Sequence, residues 1–113
     1  MTTHQGLASG RWGTLDIVAQ LANVGSEVER AIRAREQSRM DRWELAFARA
    51  LELFDLTATD DRWRGPRRRE TLRAREYFCR HFYGEEDVEP GSAAYLRKYF
   101  LQFAVAARQP AKR

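Results

Sequence analysis

Apolar side chains recur three or four positions apart in four separate segments of this 113-residue chain, and nowhere do they alternate with polar ones long enough to make a strand. Residues at that spacing share one side of a helix. Each segment can therefore bury its apolar face only by packing against another helix. The expected fold is all-α: an antiparallel bundle of about four helices, near 15–38, 41–56, 66–83 and 92–108. The domain organisation follows as a flexible lead-in at 1–13, a helical bundle at 14–109 and a basic tail at 110–113.

In the first segment Thr14 is the predicted N-cap, and Val18, Leu21, Gly25, Val28 and Ile32 are spaced 3, 4, 3 and 4 apart, the seam of a helix packed lengthwise on a neighbour. Gly25 costs about 1 kcal/mol against alanine in a helix. On a packing seam it lets another backbone come close; a break of the helix at Asn23–Ser26 is the alternative. Asp41 and Glu44 have the spacing of a capping box, with Met40 before them as a hydrophobic staple. Trp43, Phe47, Ala50 and Phe54 follow as a buried face that should end near Leu56. Pro66 suits the first position of a third helix, on which Leu72, Arg75, Phe78, Cys79 and Phe82 share a face, with Gly84 as its stop. After an acidic stretch at 84–91, Ser92 is expected to cap a fourth helix striped with Leu96, Tyr99, Phe100, Phe103 and Ala107.

Several function classes drop out. No apolar run approaches the roughly 18 residues a membrane span needs, and residues 1–13 lack the basic and apolar regions of a secretory signal. Cys79 is the lone cysteine, so no internal disulfide forms, and the expected setting is the reducing cytoplasm. Cys79 lies on the apolar face, where a thiol is a small hydrophobe before it is a nucleophile. His4 has no nearby metal-ligand partner, and Glu85, Glu86, Asp87 and Glu89 lack the alternating oxygen ligands and glycine of a calcium loop. No phosphate-cradling glycine loop and no nucleophile elbow is present. The expected inventory is no metal and no cofactor.

Charge is the more informative property. Of 20 basic residues only Lys98 and Lys112 are lysines, and the formal net charge is +4. A GC-rich genome accounts for that ratio without function, but the clustering is a separate matter. Between Arg62 and Arg80 stand eight arginines against Glu70 and Glu76. Arg67, Arg68 and Arg69 fall in the first turn of the third helix, where cations oppose the helix dipole at a few tenths of a kcal/mol each. Arg62, Arg64, Arg67, Arg68, Arg69 and Arg73 are accordingly the candidate anion-binding residues, with RNA ahead of DNA or an acidic protein as partner. The competing reading is a surface neutralised by the 85–89 acids or by Asp55, Asp60 and Asp61. Tyr95, Tyr99, Phe100 and Phe103 are at helical spacing and read as core or oligomer seam before base-stacking platforms.

Arg75, His81 and Tyr83 form R-x5-H-x-Y near a helix end, which resembles the motif of the HEPN family of helical bundles. That family includes ribonuclease toxins paired with small nucleotidyltransferases encoded nearby. The resemblance implies a paired arginine and histidine, here Arg75 and His81, cleaving RNA at a dimer interface. Glu76 stands where that family usually has another polar residue after its arginine, and a lone histidine near a helix C-terminus is more often a cap. Four longer phrases, LANVGSEVERAI (21–32), ALELFDLT (50–57), LRAREYFCRHFYG (72–84) and KYFLQFAVAAR (98–108), together resemble a family of short all-helical prokaryotic proteins with no established activity. A looser, architectural similarity is to basic, oligomeric bundles encoded in ribosomal RNA intervening sequences and retroelement accessory genes. The leading expectation is a non-enzymatic, homo-oligomeric interaction protein with an arginine surface for an anionic partner. A HEPN-like ribonuclease or its non-catalytic relative, and a structural subunit of a protein complex, are the alternatives.

Overall fold

Asp16, two residues beyond the expected Thr14, starts the first long helix. The structure, a computed structural model, describes residues 10–83 and 91–109. In it Asp16 is extended and its Oδ1 accepts the Ala19 N–H at 2.8 Å, relieving one orphan donor of helix α1 (Ile17–Glu36). Thr14 belongs instead to a separate helical turn, Trp12–Thr14, where its hydroxyl donates to the Arg11 carbonyl.

Helix α1 runs unbroken through Asn23, Gly25 and Ser26. It ends in a Schellman motif: Ser38 takes the left-handed conformation (φ 55°), and the Arg39 N–H returns to the Ala34 carbonyl at 2.8 Å. That tight turn passes straight into α2 (Met40–Ala58), which corrects the expected capping box. With the Trp43 N–H already bonded to the Arg39 carbonyl, Asp41 sits inside the first turn, where its charge favours the dipole without capping. Met40 is 46% exposed and staples nothing. At the other end α2 continues past Leu56, because Thr57 returns its hydroxyl proton to the Leu53 carbonyl and so can be buried.

Gly65 (φ 94°) turns the chain into α3 (Pro66–Tyr83), and Gly91 (φ 88°) leads into α4 (Ser92–Arg108). The face of α3 is rotated from expectation, and the expected stripe of α4 holds except at its end. On α3 the buried side is Thr71 and Phe78, with Ala74 and Phe82 beside them, while Leu72 is exposed. On α4 Leu96 and Phe100 are buried, Tyr99 and Phe103 half-buried, and Ala107 exposed. Ser92 is the first helical residue, and its hydroxyl faces His81 rather than its own helix end. Gly84, the acidic stretch at 84–90, His4 and the tail at 110–113 lie outside the described residues.

Cross-helix contacts fix the topology. Asp55 meets Arg75 while Trp43 meets Phe82, so α2 and α3 run antiparallel. Glu70 meets Tyr99 while His81 meets Ser92, which sets α3 against α4. Glu36 meets Arg97 while Gly25 meets Phe100, which sets α4 against α1. The molecule is an antiparallel four-helix bundle with no strand among the described residues. Helix α1 packs closely on both α2 and α4; α3 leans on α2 and meets α4 loosely, leaving a groove between them. The core is centred on Val24, Val28, Ile32, Ala50, Phe54, Phe78 and Leu96. No helix among the described residues is long and apolar enough to cross a membrane.

Candidate functional site

The arginine stretch divides by geometry into side chains that hold the fold and side chains that face outward. Arg62 chelates the Asp60 carboxylate with Nε (3.0 Å) and one terminal nitrogen (2.7 Å), donates to the Leu15 carbonyl at 2.8 Å, and lies 4.5 Å over the Trp63 ring. Behind it Gln20, fully buried, donates to the Trp12 carbonyl and to Asp60, each at 3.0 Å, and accepts the Trp63 indole proton at 2.8 Å. Arg62, Asp60, Gln20 and Trp63 thus pin the α2–α3 connection to the start of α1. The Arg62 guanidinium holds the Asp60 carboxyl well below the usual carboxylate range, against the opposing effect of burial. Arg64 pairs with Asp61 at 3.1 Å in full solvent. Half-buried Arg68 reaches the Asp60 carbonyl at 3.5 Å, and its Nε is buried without a hydrogen-bond partner. Arg75 binds Asp55 across to α2 at 3.0 Å.

What remains is the outward set. Arg67 leans toward the Trp63 ring at 5.7 Å, and Arg69, Arg73 and Arg80 are exposed with no ion pair among the described residues. Of the six arginines expected to bind anions, Arg62, Arg64 and Arg68 are engaged internally, and Arg67, Arg69 and Arg73 present their charge to solvent. Arg69 and Arg73 also edge the α3–α4 groove, about 460 Å³, with Glu70, Tyr77, Tyr95 and Tyr99. Tyr77 and Tyr95 contact each other at 4.6 Å between ring centres, and the Tyr99 hydroxyl donates to Glu70 at 2.6 Å. Burial, and then the Glu70 carboxylate that accepts its proton, hold the Tyr99 phenol well above its ordinary value. Tyr95 is 53% exposed, so of its two expected places, core or oligomer seam, the core is excluded.

A second basic groove escaped the sequence reading. Arg30, Arg33, Arg39, Arg42 and Arg49 line a cleft of about 550 Å³ between α1 and α2, beside exposed Leu45. Arg30 is paired with Glu27 and Arg33 with Glu29, whereas Arg39, Arg42 and Arg49 have no ion pair among the described residues. The signal was present in the chain: 42, 45 and 49 share one helix face. These arginines are dispersed in sequence, and only the packing of α1 on α2 brings them to one cleft.

No catalytic residue was the leading expectation, and Arg75, His81 and Tyr83, the alternative catalytic set, turn to different neighbours. Arg75 turns to Asp55 on α2. His81 turns to α4, with Nδ1 at 2.5 Å from the Ser92 hydroxyl and its ring edge-on to Phe82. Tyr83 packs on Trp43 and Phe47. Burial lowers the His81 pKa, with Glu36 opposing, so the ring is neutral near pH 7. The Cys79 thiol is pushed up by burial, away from a reactive thiolate. Among the described residues no three His, Cys, Asp or Glu side chains are grouped so as to hold a metal ion. The chain matches no protein-family model, no curated protein and no solved structure.

Proposed function

We propose that this protein is a non-enzymatic interaction bundle that binds an anionic partner, RNA first, along the outward arginines of α3. The observation that carries the reading is the set Arg67, Arg69 and Arg73, solvent-facing and without a carboxylate partner among the described residues, with Arg67 and Arg69 in the first turn of α3, where the dipole disfavours cations. Phosphates supply the missing counter-charge, and arginine's forked donors fit them. Self-association belongs to the same reading, since Leu101 and Val105 on α4 are exposed.

The test is binding of a fluorescently labelled RNA at about 50 mM salt, compared between two charge reversals. Arg69→Glu with Arg73→Glu should weaken binding at least tenfold, and Arg39→Glu with Arg42→Glu should weaken it less. Equal losses would remove any special role for α3. Undetectable binding to the unaltered protein would remove the reading altogether. A HEPN-like ribonuclease would need Arg75 to leave Asp55 and meet a histidine that now faces α4, an arrangement for which a second protomer would have to supply the partner.

A further inference from the structure

We propose that the α3–α4 groove is a subsite for one segment of single-stranded nucleic acid, with a base stacked on Tyr95 and the flanking phosphates on Arg69 and Arg73. This rests on the polyanion reading above and adds the class of strand. Three features of the groove support it. Arg69 and Arg73 are one helical turn apart, about 6 Å along the α3 axis, which suits neighbouring phosphates of an extended chain. Tyr95 is more than half exposed and is backed on one side by Tyr77, so its position is fixed while part of its surface is free for a second aromatic plane. A cleft between two packed helices admits a single strand and its splayed bases but not a duplex, whose bases are stacked inside.

The experiment measures anisotropy of three labelled probes of equal length at about 50 mM salt: a single-stranded 12-mer, the same sequence as a duplex, and an abasic 12-mer carrying phosphates without bases. The base-bearing single strand should bind best. Tyr95→Ala should weaken it about fivefold or more, the range for loss of one base–aromatic stack, and leave the abasic strand unchanged. Tyr95→Phe should retain binding, because the ring and not the hydroxyl makes the contact. Arg69→Gln with Arg73→Gln should weaken both strands. Because Tyr95 is largely exposed, circular dichroism should show all variants folded. If Tyr95→Ala binds the base-bearing strand as well as the unaltered protein does, or if the abasic strand binds equally well, the subsite proposal fails while the polyanion reading stands. If no probe binds, both fail.

Discussion

Gly25→Ala sets two known effects against each other, and the structure says which wins. Alanine is the better helix former by about 1 kcal/mol, and Gly25 lies in the interior of a 20-residue helix, so propensity alone predicts a gain. A Cβ at position 25, however, would stand 2.8 Å from the Phe100 Cβ and 3.1 Å from its Cγ. The obstructing atom is attached directly to the α4 backbone, so no rotamer change moves it away. Helices α1 and α4 must separate locally, and Arg97 would be drawn from its hydrogen bonds of 2.8 Å to Glu29 and 3.0 Å to Glu36. Overpacking of this kind costs typically 1–3 kcal/mol. The net expectation is a loss of up to about 2 kcal/mol, or up to roughly 10 °C in Tm for a domain of this size. Urea or thermal unfolding followed by circular dichroism measures it. Gly13→Ala, whose Cβ would meet nothing within 4 Å, is the control and should be neutral or slightly stabilising. If Gly25→Ala gains stability as Gly13→Ala does, the close approach of α1 and α4 is wrong.

Three further outcomes follow from the packing and the polar network. Phe54→Ala and Phe78→Ala, both fully buried, should each cost about 3–5 kcal/mol, with Phe103→Ala, half-buried at the bundle edge, costing clearly less; equal costs would mean the α4 face is misassigned. Asp60 has a lowered native pKa, so its contribution is complete above the ordinary aspartate value near 3.9 and is lost gradually as pH falls from there toward its much lower native pKa; Asp60→Asn should be less stable than the parent at pH 7, with the gap beginning to narrow below about pH 4 in urea titrations, and a gap that stays constant down to about pH 3 would refute the Arg62 pairing. Purified protein should not cleave RNA, and RNA cleavage abolished by both Arg75→Ala and His81→Ala would promote the ribonuclease alternative.

The four helices were legible because each repeats its apolar residues at helical spacing over about three to four turns, and the role of Gly25 could be read from its place on the α1 seam. The caps of the first two helices were not, although Pro66 opens α3 and Ser92 opens α4 as expected. Thr14 and Asp41 both carry good capping chemistry, but a cap needs an extended residue. The turn at Ser38 leaves none before Asp41, while Asp16 supplies one that a residue count alone does not reveal. The facing of α3 was misread because Leu72 outranks Thr71 in hydropathy. Thr71 is buried nonetheless, its hydroxyl satisfied by the Arg67 carbonyl at 2.9 Å. For the candidate site, the sequence located the arginines but not their partners. Gln20 lies 40 residues from Asp60 and 43 from Trp63, and nothing local marks it as the residue that ties the α2–α3 connection down and thereby engages Arg62.

The salt dependence of RNA binding tests the central claim most directly. An arginine that neutralises a phosphate releases counterions, so the slope of log affinity against log salt counts the phosphates contacted, at about −0.7 each on a single strand. Arg67→Gln, Arg69→Gln and Arg73→Gln combined should reduce the magnitude of that slope by about two units, with helicity unchanged, since the three side chains are solvent-facing and glutamine is a good helix former. A slope unaltered by the triple substitution would contradict the account and place any binding elsewhere, with the Arg39, Arg42 and Arg49 groove the next surface to examine.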